Sequence, residues 1–149
     1  MAGRVLIVDD EESIRVLCRV NLELGGYEVV EAADGATALE LARTRRPDLV
    51  FLDVMMPEMD GWEVLAQLKD DPATVAIPVV MLTARTGEED QIRAWGHGVL
   101  EYLPKPFNPR MLVEWAAQAM EPRDPSAETE RRQRVVAQLR LMREMRKSV

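Results

Sequence analysis

Apolar and polar positions follow two rhythms along the chain. Short apolar runs at Arg4 to Val8, Leu49 to Leu52 and Ile77 to Leu82 lack the polar alternation of a half-exposed strand, which suits strands buried on both faces of a parallel sheet. Tyr27 to Ala32 and Val99 to Leu103 are two further strand candidates. Between these runs apolar residues return at helical spacing. From Ser13 onward they are Ile14, Leu17, Cys18, Leu22 and Leu24, with Val20 off the stripe; Ala38, Leu39 and Ala42 follow, and later Val64, Leu65 and Leu68. Gly25-Gly26 ends the first helix, Asp34-Gly35 makes a turn before a helix over Ala36 to Arg46, and Pro47 closes that helix. Pro57 and Gly61 force a loop before a helix from Trp62 to Lys69, which Asp70-Asp71-Pro72 breaks. Glu88-Glu89-Asp90 puts an acidic first turn on a helix reaching about Trp95, in keeping with the helix dipole, and Gly96-His97-Gly98 stops it. Asn108 caps and Pro109 begins a helix with Leu112, Val113, Ala116, Ala117 and Met120 facing inward.

Five strands alternating with five helices predict an α/β fold, because parallel neighbours need crossovers and right-handed crossovers place helices on both faces. The expected architecture is a doubly wound five-stranded parallel sheet of the flavodoxin-like order 2-1-3-4-5, with five flanking helices plus a C-terminal tail helix. Strands 1 and 3 are then neighbours at the topological switch point, where open sheets bind ligands. The 149 residues divide into a main domain (1–121), a linker (122–126) and a C-terminal basic helical tail (127–149).

Charge separates the two parts. Residues 1–120 hold 11 Lys/Arg against 21 Asp/Glu, whereas 121–149 hold 8 against 5, so the main domain is poorly suited to nucleic acid. No apolar run approaches the roughly 18 residues of a membrane span, and the N-terminus lacks a signal peptide's apolar core, so a cytoplasmic location is expected. Cys18, the single cysteine, reads as helix core and forms no intrachain disulfide.

Four strand ends carry reactive polar groups: Asp9 and Asp10, Asp53, Thr83, and Lys105. Carboxylates gathered at the switch point repel one another unless a cation lies among them. Oxygen-only ligands without nearby His or Cys favour Mg²⁺, with Mn²⁺ also acceptable. Asp53, alone at the end of the central strand, is the natural nucleophile for an aspartyl phosphate. The Lys105 ammonium and the Thr83 hydroxyl then suit the oxygens of a transferring phosphoryl group, and small Ala84 leaves room for the donor.

The stretches VDDEES, FLDVMMPEMDG, VVMLTA and YLPKPF, spread over roughly residues 3–120, resemble the receiver domain of two-component response regulators. The resemblance implies that Asp53 is the phospho-acceptor, Asp9 and Asp10 the metal acids, Thr83 the switch hydroxyl and Lys105 the phosphate-contacting lysine. It also implies that the Met55 backbone carbonyl completes the metal site, that the Lys105–Pro106 bond is cis, and that Tyr102 is the aromatic switch position. On phosphorylation Thr83 would turn inward and Tyr102 would fill the space it vacates, changing the surface of helix 4, strand 5 and helix 5. Leu100 departs from the family pattern, which usually has a polar residue there. It reads as part of a longer strand or as an exposed partner contact.

The expected function is a stand-alone phospho-acceptor signalling switch, served by a histidine kinase or phosphotransfer protein and acting on a downstream protein by contact. It is expected not to be an enzyme beyond Mg²⁺-dependent self-phosphorylation and autodephosphorylation. One rival is a Mg²⁺-dependent aspartyl-phosphate phosphatase, which typically needs an acid two residues past the nucleophile, where this chain has Met55. Another is a receiver-like scaffold or a tail-mediated dimerisation module. His97, between two glycines, reads as a turn residue, and Trp62, Trp95 and Trp115 as packing residues on separate helices.

Ser126 is a candidate cap for a tail helix from Ala127 to about Lys147, with a thin seam of Val135, Leu139, Met142 and Val149 interrupted by Arg146. Three readings of this tail stand: self-association or docking on a partner, which is favoured; packing on its own domain; and a frayed basic end. A homodimer is expected either through the tail or through the helix 4–strand 5–helix 5 face. So short a tail holds no helix-turn-helix, so sequence-specific DNA binding is not expected.

Overall fold

The computed structural model describes residues 3–85, 87–122 and 124–147. Strands β1 (Arg4–Val8), β2 (Glu28–Ala32), β3 (Leu49–Leu52), β4 (Val79–Thr83) and β5 (Glu101–Pro104) form one sheet in the order β2-β1-β3-β4-β5. All four pairings are parallel, so the doubly wound sheet expected from the alternating pattern is the one observed. Helices α1 (Glu12–Leu24), α2 (Gly35–Arg45), α3 (Gly61–Asp70), α4 (Glu88–Gly96) and α5 (Pro109–Met120) flank it, and α6 (Pro125–Lys147) follows as the C-terminal tail.

Successive strand residues point to opposite faces. Leu6, Val8, Val50, Leu52, Val79, Met81 and Tyr102 meet α2, α3 and α4 on one side. Val5, Ile7, Leu49, Phe51, Val80, Leu82 and Leu103 meet α1 and α5 on the other. Both faces are dry, which is why β1, β3 and β4 read as unbroken apolar runs. Fully burying a side chain such as Phe51 or Leu52 contributes on the order of 2 kcal/mol.

Capping shifts several boundaries from the sequence expectation. Asp34 Oδ1 accepts from Thr37 N–H at 2.8 Å and Asp60 Oδ1 from Glu63 N–H at 3.0 Å. Each acts as an N-cap, so α2 and α3 begin one residue earlier than expected, at Gly35 and Gly61. Pro78 has no N–H for the ladder, and β4 starts after it and ends on Thr83 itself. The Val99 N–H turns back to Ala94 O, leaving β5 to begin at Glu101.

Two helix faces are narrower than the periodicity suggests. On α1, Cys18 and Leu22 are buried, but Leu17 and Leu24 are 39% and 83% exposed, as is Val20 in large part. The i, i+4 row through Ile14, Cys18 and Leu22 meets the sheet and α5, and the residues beside it reach past that contact. On α5 the buried row is Leu112, Ala116 and Ala119, whereas Ala117 faces solvent. Leu100, read as part of a longer strand or as an exposed partner contact, is half-buried against the α1/α5 side of the core, and its N–H donates to Val79 O at 2.7 Å just before β5.

The tail is the largest departure. It packs on its own domain, running antiparallel along α4, which is the second of the three readings rather than the favoured one. Asp124, not Ser126, caps it, accepting from Ser126 N–H at 3.0 Å, with Pro125 at the first helical position. Val135, Val136 and Leu139 lie against the α2/α3/α4 side of the core. Met142, assigned to the seam, is exposed. Arg146, read as an interruption, pairs with Glu88. Val149 lies outside the described residues.

Candidate functional site

The register of the sheet brings the strand-end residues to one edge. β1 ends at Val8, opposite Leu52, so Asp9 and Asp53 leave neighbouring strands, and Asp53 N–H donates to Val8 O at 3.0 Å. β3 pairs Leu52 with Met81. Thr83 pairs with Pro104, and the Lys105 N–H returns to Thr83 O at 2.8 Å. The Lys105–Pro106 bond is cis.

Asp9 and Asp53 are buried, whereas Asp10 is exposed. One oxygen from each of the three lies within 4.8 Å of the others, and among the described residues this is the only such group of three acids, histidines or cysteines. Lys105 Nζ reaches Asp9 Oδ2 at 2.6 Å and Asp53 Oδ2 at 3.3 Å. Asp9 Oδ1 accepts from Glu11 N–H at 2.9 Å and Asp53 Oδ1 from Met55 N–H at 3.2 Å. The Met55 side chain is exposed.

Electrostatics follow from burial and a surplus of acids. Burial first, and the Asp9 charge second, push the Asp53 carboxyl above its ordinary pKa; Lys105 and the Met55 N–H pull the other way without cancelling the rise. Burial alone would lower the Lys105 ammonium, but its bond to Asp9 and the charges of Asp53 and Asp9 outweigh that and raise it. Lys105 is therefore a fixed cation, yet one ammonium beside three carboxylates leaves negative charge uncompensated. An all-oxygen donor set with surplus negative charge fits a hard divalent cation such as Mg²⁺ or Mn²⁺.

Thr83 is fully buried, and its Oγ accepts from Arg85 N–H at 3.2 Å. The Tyr102 ring is buried as well, and its hydroxyl donates to Arg85 O. Burial, together with the nearby Asp90 charge, raises that hydroxyl to about 12. The ring is thus already turned inward in this conformation, where the family resemblance implied an inward move on phosphorylation.

Three contributors were not singled out in the sequence. Arg85 joins Thr83 and Tyr102 through its backbone, and its guanidinium pairs with Asp90 of α4 at 3.2 Å. Backbone contacts leave no mark on residue type, so nothing in the sequence could have signalled this. Arg15 Nη1 donates to Asp9 O at 2.8 Å, fixing the first acid from one turn into α1. Gly61, read only as a loop former, closes the Asp53 loop: a Cβ there would lie 2.2 Å from Asp53 O and 2.7 Å from Val54 Cα. Its N–H donates to Val54 O at 2.8 Å. No side chain fits that approach.

Residues 5–117 match the family model for the response regulator receiver domain. The chain is 46% identical over 110 residues to the alkaline phosphatase synthesis transcriptional regulatory protein PhoP of Bacillus subtilis, covering 74% of this chain and 45% of that protein. It is 45% identical over 114 residues to the phosphate regulon transcriptional regulatory protein PhoB of Pseudomonas aeruginosa, covering 76% and 50%. The chain therefore spans about half the length of these curated relatives, or less. Among solved structures, the chemotaxis protein CheY4 of Vibrio cholerae superposes with a TM-score of 0.75 at 36% identity, covering 80% of this chain and all of that one. From its motifs, its sheet order and these matches, the chain belongs to the response regulator receiver family of two-component signalling.

Proposed function

We propose that this chain is a cytoplasmic phospho-acceptor switch in which Asp53 receives a phosphoryl group from a histidine kinase or phosphotransfer protein and the signal leaves by protein contact. The observation that carries this reading is the placement of Asp53, buried at the end of the central strand with Asp9, Asp10 and Lys105 around it. Burial makes its carboxylate more basic than a free one, and hence a better nucleophile. An Asp53 oxygen attacks phosphorus. The P–N bond to the donor imidazole breaks, its electron pair goes to the nitrogen, and the ring, which carries a proton on its other nitrogen, leaves as neutral imidazole.

Lys105 meets the charge on one phosphoryl oxygen, moving from its bonds with Asp9 and Asp53. The Thr83 hydroxyl turns to another, giving up the Arg85 N–H it accepts from. Asp9, Asp10 and Asp53, with the Met55 carbonyl, would hold Mg²⁺ or Mn²⁺, whose charge neutralises the transferring oxygens when bound. Met55 offers no acid to protonate a leaving group, which argues against a phosphatase. Output is by protein contact rather than by sequence-specific DNA binding, and self-association through the α4–β5–α5 face or the tail belongs to the same proposal.

Incubation with acetyl phosphate and Mg²⁺ tests the reading. One phosphoryl group per chain is expected in the natural protein and none in Asp53→Asn. Undiminished labelling of the variant would overturn the assignment of Asp53.

A further inference from the structure

We propose that α6 is an intramolecular cover on the α4–β5 face whose release is coupled to phosphorylation of Asp53, an inference that rests on the phospho-acceptor reading above. The docking geometry comes first. α6 lies antiparallel on α4, and three arginines along it meet acids at both ends of the face. Arg131 Nη2 pairs with Glu101 Oε2 at 3.0 Å, its Nη1 donates to Leu100 O at 3.1 Å, and its guanidinium lies 5.1 Å from the Trp95 ring centroid. At the other end Arg143 pairs with Glu89 at 2.5 Å and Arg146 with Glu88, both acids of the first turn of α4. Arg143 holds the Glu89 carboxyl below its ordinary range. An acidic domain thus holds the basic segment of its own chain in one register.

The helix is held, but lightly. None of its described residues is fully buried. Its apolar anchors are the partly buried Val135, Val136 and Leu139, and each ion pair keeps one partner open to solvent, Arg131, Glu89 and Arg146, where salt screens it. Detached from α4, α6 loses the tertiary packing from which helices in proteins draw most of their stability. Few interactions need to change for α6 to leave.

A chain of contacts joins this cover to Thr83, which ends the strand next to the one that Asp53 follows. Thr83 Oγ accepts from Arg85 N–H, Tyr102 donates to Arg85 O, and the Arg85 guanidinium grips Asp90 Oδ1. Asp90 follows Glu88 and Glu89, two of the three acids that anchor α6. Turning the Thr83 hydroxyl to a phosphoryl oxygen breaks its bond to Arg85 N–H. The Arg85 segment and the first turn of α4 then lose their tie to β4, and the acids that hold Arg143 and Arg146 move with them. Coupling is reciprocal: what loosens α6 must also favour the phosphorylated state by the same factor.

Hydrogen exchange and calorimetry on the 149-residue chain test this, with Mg²⁺ and beryllofluoride as the phosphoryl mimic. The mimic is expected to speed exchange of the amides of residues 125–147 about tenfold in the natural chain and to leave Asp53→Asn unchanged, within the usual range for coupled sites. The double variant Arg143→Glu/Arg146→Glu is expected to exchange fast without the mimic and to bind beryllofluoride about tenfold more tightly. Adding Glu88→Arg/Glu89→Arg to that chain is expected to restore both slow exchange and the natural affinity. Beryllofluoride binding with α6 exchange unchanged, or an unchanged affinity in the double variant, would overturn the coupling alone. If no chain binds beryllofluoride or takes a phosphoryl label, the phospho-acceptor reading itself fails and this inference with it.

Discussion

Lys105 Nζ lies 2.6 Å from Asp9 Oδ2, a charge-assisted bond that ties the loop after β5 to the end of β1 across the whole switch point. The same ammonium is within 3.3 Å of Asp53 Oδ2, so one cation serves two buried acids. Removing it leaves both uncompensated. Lys105→Met is expected to slow acetyl phosphate labelling by about 100-fold or more, the usual cost of losing one donor aimed at developing charge. A labelling time course at saturating Mg²⁺ checks it, and a rate within twofold of the natural protein would contradict the role.

Asp53 weakens the fold that holds it. Its folded-state pKa lies above the ordinary 3.8, through burial and the Asp9 charge, so the folded chain binds this proton more tightly than the unfolded one. Stability from this group is therefore fully present below about pH 3.8 and is lost as pH rises through the folded pKa. Without divalent cations at pH 7, Asp53→Asn should melt about 3 °C higher than the natural chain, roughly the shift that 1 kcal/mol gives at this size. The gap should close as pH falls toward 4. Thermal melts in chelator at several pH values read the trend, and its reverse would show that Lys105 over-compensates.

Divalent cation should act as a ligand of the folded state alone. At a hundredfold excess over its dissociation constant, Mg²⁺ would add about 2.7 kcal/mol, a rise of several degrees in melting temperature. Asp10 is exposed, so Asp10→Asn should leave the cation-free melt nearly unchanged while removing most of the Mg²⁺ increment. Equal increments in the two proteins would exclude Asp10 from the metal site.

Gly61 carries a purely steric prediction. A methyl group there must displace the Asp53 carbonyl 2.2 Å away, and backbone yields less readily than a flexible side chain. Gly61→Ala should cost about 2 kcal/mol or more in denaturant unfolding and should slow labelling as well, since the displaced atoms belong to the phospho-acceptor's own residue. Full stability would show that the loop relaxes freely.

The sheet was legible because burial on both faces removes polar residues from β1, β3 and β4, and that absence is visible in one dimension. The acids were legible because they sit where those runs stop. Helix faces were read too broadly: Leu17, Leu24 and Ala117 satisfy the period, but what α1 and α5 bury depends on how wide their neighbours are. Cap positions were displaced wherever Asp34, Asp60 or Asp124 took an N–H that adjacent residues could also have been expected to satisfy. Which of the three tail readings holds was not legible because the apolar seam is thin, and the register of α6 is set by Arg131, Arg143 and Arg146 meeting acids 30, 54 and 58 residues away along the chain.

By itself the sequence determined the order of elements, the parallel sheet and the carboxylates at its switch point, since local periodicity and the strand-end residues depend on nearby chain. Tertiary structure alone decided which oxygen Lys105 grips, that Arg85 links Thr83 and Tyr102 to α4, that Gly61 lies against Asp53, and that α6 lies on α4. Each of these contacts is made through backbone atoms every residue shares or through charges with several available partners, so residue type does not announce it.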